Sequence, residues 1–321
     1  MHGHNKRCSR FIRAYLTPYV VLFHGSLASN LKAMPYLWLL IVFSLLPLPA
    51  LEAAAPQALP ATEASSNQRQ LVREVVENGL RGKDKDQIHW SYREVVRKDG
   101  RLEIHEVCQT SAGTIDRLIA INNQSLSPEQ QKREDARVQA FLADPIEIRK
   151  ERQKQREDSA KQFRMFATFP DAFRYEYAGQ EGDLVRLKFE PDPRFIPSSR
   201  QEEVFHHLEG TMWIDPQEKQ LARIDGRLTS EVRFAGGLLG HLDKGGAFSV
   251  AFKQLDSGPW VMAALHVEMS GRALLFRTIS VQEERDFDDY RRVPDNFSLL
   301  QAAELVEKLS PPRQSASNSP K

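Results

Sequence analysis

The spacing of apolar positions in this chain changes several times along its length, and each change marks a new element. In residues 68–78, Leu71, Val72, Val75 and Val76 recur at helical spacing, with Gly79 following as a stop, which predicts an amphipathic first helix. Over residues 88–97 the period drops to two. Ile88, Trp90, Tyr92 and Val96 share one parity, interrupted by Glu94, and His89, Ser91, Arg93 and Arg97 hold the other. Such alternation predicts a half-buried strand. Lys98-Asp99-Gly100 is a turn signal, residues 101–109 alternate again, and residues 114–122 complete a three-stranded meander. Helical spacing returns at Ser127, an N-cap followed by Pro128 at the first position, with Val138, Phe141 and Leu142 as a narrow apolar stripe. After Asp144-Pro145 a second helical segment, residues 146–166, carries Ile146, Ile148, Phe163 and Phe166 at its ends. Almost nothing between residues 149 and 159 is apolar, the composition of a solvated helix face.

Beyond Pro170 the period is two again, over residues 173–178, 183–190, 209–215, 220–234, 247–255, 260–269 and 273–284. Turn residues separate these segments, among them Gly179, Gly182, Pro191-Asp192-Pro193, Asp215-Pro216, Gly258-Pro259 and Gly271. No internal repeat suggests a propeller or solenoid. The expected class is α+β, mainly β: one large antiparallel curved sheet, an unclosed β-barrel, covered by a few helices. It occupies a single domain, residues 67–309, with a helical insertion at 127–166.

The flanks differ. Residues 37–46 form an apolar run broken only by Ser44, followed by Pro47, Pro49 and the small residues 50–55. That order is a signal peptide's, and the prolines stop it well short of the ~20 apolar residues of a membrane-spanning helix. Lys6, Arg7, Arg10, Arg13 and Lys32 make residues 1–33 either a long charged leader or a stretch upstream of a true start at Met34. Residues 56–66 read as a linker and residues 310–321 as a disordered tail. Removing residues 1–55 takes away five basic residues and one acidic residue, moving the formal net charge from +1 to −3. A basic footprint for nucleic acid is absent. Cys108 is then the one remaining cysteine, so no internal disulfide is available, and a buried apolar role is expected for it.

Catalytic signatures are missing. Residues 236–246 are glycine-rich, but no Gly-Lys-Ser/Thr ends the run, so it reads as a long hairpin connection. No G-x-S-x-G elbow occurs. His206 and His207, expected on a strand, would point to opposite faces and could not share one ion, so no metal is expected. His266 shares the parity of Trp260, Met262 and Ala264, which predicts a core histidine. The acidic pair Asp288-Asp289 lacks a glycosidase context. The chain is expected to be non-enzymatic, without a cofactor.

What the strands do offer is apolar surface. Trp90, Tyr92, Met212, Ile214, Phe248, Val250, Phe252, Trp260, Met262, Leu274 and Phe276 fall on parities that would line the inner side of a curved sheet. An ordinary core explains each of them singly; together they are candidates for the lining of an apolar cavity. Leu238, Leu239 and Leu242 lie in the glycine-flanked connection outside any alternation. They require a burial site, either over the sheet's open edge or against a membrane surface or partner.

The carboxy-terminal half carries a resemblance. Gly210-Thr211-Met212-Trp213-Ile214-Asp215, then Lys219-Gln220-Leu221-Ala222-Arg223-Ile224, then Gly258-Pro259-Trp260 and Leu274-Leu275-Phe276 follow a G-x-x-W-I-D, K-x-L-x-R-I, G-x-W progression. It resembles strands of the periplasmic lipoprotein carriers, the LolA and LolB superfamily, over roughly a third of the chain. These motifs are structural, and none of that family's functional residues maps onto a position here. The resemblance implies a cup lidded by helices that holds acyl chains or senses misassembled envelope components; the insertion at 127–166 departs from it. The expected function is therefore an exported protein binding a lipid or acylated ligand in the concave face, the alternative being an envelope-stress or assembly factor that binds a protein partner. The exported chain is expected to begin between Ala53 and Gln57. Amino-terminal sequencing checks this, and residues 37–46 retained in a membrane fraction would show an anchor instead.

Overall fold

The computed structural model describes residues 63–85, 88–234, 237, 240–256, 258–273 and 277–310. The expected signal and most of the linker and tail lie outside these residues, as do Leu238, Leu239, Leu274 and Phe276.

Among the described residues, four α-helices and thirteen strands follow one another as α1 (Glu63–Lys85), β1 (His89–Lys98), β2 (Arg101–Thr110), β3 (Gly113–Ile121), β4 (Gln124–Ser125), α2 (Pro128–Ala143), α3 (Pro145–Ala172), β5 (Phe173–Glu181), β6 (Leu184–Pro191), β7 (Leu208–Asp215), β8 (Gln220–Leu228), β9 (Val232–Phe234), β10 (Gly240–Leu242), β11 (Ala247–Gln254), β12 (Trp260–Ala273), β13 (Arg277–Val293) and α4 (Leu299–Leu309). All pairings are antiparallel, in the order β4-β3-β2-β1-β13-β12-β11-β8-β7-β6-β5, with the short β9-β10 ribbon continuing along β12 beyond β11. The curved sheet is not closed: β4 and β5 are its two ends.

Both faces are covered over part of this sheet. The inner face packs against Val72, Val75 and Val76 of α1 and against Phe169 and Ala172 of α3. On the outer face a second cluster joins Cys108 and Ile115 to Val138 of α2 and to Ala302, Ala303 and Val306 of α4. In consequence β2 is buried on both sides from His105 to Cys108. Cys108 has the expected apolar role, but under α4 on the outer face, and burial pushes its thiol up to about 11.

Local chemistry accounts for the element ends. Asp99 and Gly100 both adopt positive φ, 51° and 73°, the requirement of a tight hairpin turn between β1 and β2. Ser127 and Gln130 form a reciprocal capping box at α2. The exposed edge of β3 is blunted by that same helix: Glu134 accepts the Leu118 N–H at 2.9 Å and Arg137 donates to the Asp116 carbonyl. At the opposite end Asp192, nearly fully buried, accepts from Arg194 and from Arg69 of α1, which together hold its carboxyl well below the usual range.

Four expectations are corrected. Gly79 does not stop α1, which runs on to Lys85; a Cβ there would stand 3.3 Å from the Phe166 ring, so its smallness serves the crossing with α3. Residues 202–207 form a 3₁₀ turn instead of strand, and the His207 Nδ1 lies 2.7 Å from the Ser230 hydroxyl. Burial and the neighbouring His206 push the His207 pKa down. The segment 220–234 breaks between Leu228 and Val232. A bulge displaces the β11–β12 register, with Ala251 opposite Ala264 but Phe252 opposite Met262. It reverses the parity beyond Ala263, so His266 is exposed while Leu265 and Val267 are in the core.

One row of the inner face shows how closely the strands are packed. Phe189, Gly210, Gly226 and Phe248 stand side by side on β6, β7, β8 and β11, and the two rings close over the two glycines. A Cβ on Gly226 would come within 2.4 Å of the Phe248 ring. Gly226→Ala is expected to cost about 1–3 kcal/mol through displacement of that ring, measured by urea denaturation; unchanged stability would show that the ring moves freely.

Candidate functional site

The inner face divides the expected lining residues into two groups. Tyr92, Met212, Ile214, Phe248 and Met262 are buried in the main apolar cluster, in which α1 and α3 fill the space opposite them. Trp90, Val250 and Phe252 are only half-buried where they pack on that cluster. The half-buried group collects at one end of four adjacent strands. Trp90 on β1 meets Tyr290 on β13 edge-on at 5.9 Å, Tyr290 stacks on Tyr92 at 5.2 Å, and its hydroxyl donates to the Met262 carbonyl of β12 at 2.8 Å. Met262 in turn pairs with Phe252 of β11. Trp260, two residues before Met262, is also half-buried, and its indole N–H is enclosed without a hydrogen-bond acceptor among the described residues. Leu242 is half-buried against the main cluster, so this residue of the glycine-flanked connection packs at home.

The other part of the inner face is charged, and sequence reasoning missed it. Glu94 on β1, 2% exposed, accepts from Arg285 on β13, 4% exposed, at 2.7 Å. Arg285 also donates to Glu283, which is bound in turn by Lys98 at 3.0 Å. Beside them His105, fully buried, places Nδ1 2.8 Å from Asp116 and Nε2 3.4 Å from Glu103. Burial pushes the Glu94 carboxyl up, with Arg285 opposing, and neighbouring Asp116 adds to the rise. For Glu283 burial acts in the same sense, but Arg285 and Lys98 outweigh it and hold the group below its ordinary value. Burial likewise works against the Arg285 cation, and the two carboxylates overcome it.

One signal of this network stood in the sequence: Glu94 breaks an otherwise apolar parity. The alternation Glu283, Arg285, Phe287 on β13 was a second. The charged middle of α3 also differs from a purely solvated face, because Asp158 is buried there and burial pushes its carboxyl up. On the outer face an open hollow of about 610 Å³ over β5–β8 is lined by charged residues. Its ion pairs include Arg174 with Glu190 and Arg227 with Glu209.

Comparison with known proteins adds little. No family model matches the chain, and no curated protein matches it. A crystal structure of a DUF1329 family protein from Desulfovibrio piger aligns over 76% of this chain and 100% of that one, with 10% identity and a TM-score of 0.27. A score of that size carries no argument about fold or activity. Among the described residues no helix is long and apolar enough to cross a membrane.

The chemistry of the site therefore rests on its own geometry. A half-buried aromatic end offers dispersion contacts and one unsatisfied donor, whereas the ionic end is internally matched. Arg285→Met is expected to cost about 3–5 kcal/mol, because two carboxylates lose their shared cation inside the protein. Combining it with Glu94→Leu and Glu283→Leu should recover most of that loss. Chemical denaturation of both variants checks the pair of outcomes, and a single change costing under ~1 kcal/mol would show that the network contributes little.

Proposed function

We propose that this chain is an exported, non-enzymatic binding protein for an apolar chain, such as the acyl group of a lipid, taken up at the aromatic end of the inner face. The observation that carries the proposal is the row Trp90, Tyr290, Trp260, Phe252 and Val250. This row continues the packed cluster outward and is itself only half-buried. Apolar surface left half-covered beside a closed core gains from a ligand that completes its burial, by about 25 cal/mol per Å² removed from water. The unpartnered indole N–H of Trp260 is suited to a carbonyl or ester oxygen at the head of such a chain.

The sequence resemblance to the periplasmic lipoprotein carriers supports the same class of ligand, and the signal-like amino terminus supports a location outside the cytoplasm. The buried group, Met212 and Ile214 above all, belongs to the scaffold in this reading: a ligand there would have to displace Val72, Val75 and Val76 of α1.

Fluorescence titration of the full chain with oleate and with phospholipid vesicles tests the proposal. Trp90→Ala and Phe252→Ala are expected to weaken binding at least about tenfold, equivalent to ~1.4 kcal/mol, while melting within a few degrees of the native protein. Met212→Ala should instead lose about 2–5 kcal/mol of stability. Absence of any response to either ligand, together with a polypeptide co-purifying in stoichiometric amount, would replace this reading by the assembly-factor alternative.

A further inference from the structure

A second cluster of chemistry-bearing side chains lies away from the inner face, on the β9-β10 ribbon. Gly240, His241 and Leu242 pair with Phe234, Arg233 and Val232. Asp243, the next residue, therefore stands across from Glu231. Asp243 follows β10 directly, two residues after His241, and its Oδ1 lies 3.3 Å from the His241 Nε2. The intervening Leu242 and its partner Val232 point the other way and pack in the main cluster. The ribbon is thus anchored from behind, and Glu231, His241 and Asp243 are gathered on its open side.

We propose that these three residues bind a divalent first-row cation, zinc before others. Their donor atoms, one from each residue, all lie within 4.8 Å of one another. In a tetrahedral site with metal–ligand distances of about 2.1 Å, neighbouring donors stand roughly 3.4 Å apart. The His241 Nε2 to Asp243 Oδ1 separation is 3.3 Å, so two of the three donors already stand at that spacing. Ser270 donates to the other oxygen of Asp243 at 2.7 Å, and the Asp243 N–H donates to the Ser270 carbonyl at 2.9 Å. Those bonds fix the carboxylate with Oδ1 turned toward the histidine, the outer support that a ligating carboxylate needs.

The third donor has to leave its present partner to complete the set, since Glu231 is held by the Arg233 guanidinium. That ion pair is exposed and weak, and a dication displaces it readily. One imidazole and two carboxylates are a mixed nitrogen and oxygen set suited to zinc, and they leave a coordination position for water or a ligand atom. A bound ion would tie β9 to β10 across the end of their pairing at Val232 and Leu242.

Calorimetric titration of the chelator-stripped full chain with zinc chloride, paired with thermal melts, tests the site. Because His2, His4 and His24 also offer nitrogen donors, the readout is the difference between variants. Native protein is expected to bind at least about tenfold more tightly than His241→Ala, and to show a zinc-dependent rise in Tm that the variant lacks. Asp243→Asn, which keeps the shape of the carboxylate, should behave like His241→Ala and guards against a simple folding defect. Arg233→Met frees Glu231 and should tighten zinc binding, an effect that lost structure would not produce. Indistinguishable titrations and melts for native protein, His241→Ala and Asp243→Asn would overturn the proposal.

Discussion

A guanidinium enclosed between two carboxylates is stable inside a protein only when every charge is matched, because each ion has given up several kcal/mol of hydration. Arg285, between Glu94 and Glu283, meets that condition at the seam where β1 pairs with β13. Through this seam the amino-terminal meander β1–β4 joins the rest of the sheet. A slip of one residue would turn Arg285 and Glu283 together to the opposite face and leave Glu94 without its cation, so the network penalises wrong registers more heavily than an apolar pair would. The bulge in the same pairing, between Ser91 and Arg93, lies beyond the charged rows and lets the aromatic residues Tyr92 and Tyr290 stack without disturbing them.

The sheet thus has two kinds of interior on one surface. Over the β5–β8 end, helices α1 and α3 fill the hollow with aliphatic side chains and phenylalanine. Toward the β1–β13 seam, fixed charges replace them, and the aromatic row borders the packed region. A filled hollow leaves little room for a large ligand, which is why the proposed contact is confined to the row that the helices do not cover. The outer face contributes rigidity: α4 lies over β2 and β3, so the strands carrying His105 and Asp116 are held from behind.

Much of this architecture was legible in the order of residues. Alternation placed Met212, Ile214 and Phe248 on the inner face, and Ser127 with Pro128 marked the start of α2. Parity says nothing, however, about how completely a facing helix fills the space opposite, so the same residues read equally well as lining and as core. A bulge cannot be seen in a two-residue period, and one bulged residue on β12 moved His266 from inside to outside. Gly79 looks like a helix stop when only its own segment is considered; the Phe166 ring that requires its smallness is far away in sequence. The buried charges showed as an interruption at Glu94 and as Glu283 and Arg285 in the alternation of β13, but nothing in the order of residues joined the two, because Glu94 and Arg285 are 191 residues apart.

That separation has a consequence for how the protein is made. During synthesis β1 emerges well before the strand that covers its open edge, with all the other strands of the sheet made in between. Until residues 277–293 arrive, both meanders carry unpaired backbone along their inner edges, and Glu94 has no cation. Closure of so long a loop is slow, and it leaves a lengthy interval in which the chain is extended and vulnerable to self-association. A sheet whose β1–β13 seam waits for its thirteenth strand stays incomplete while every strand between the two is being made.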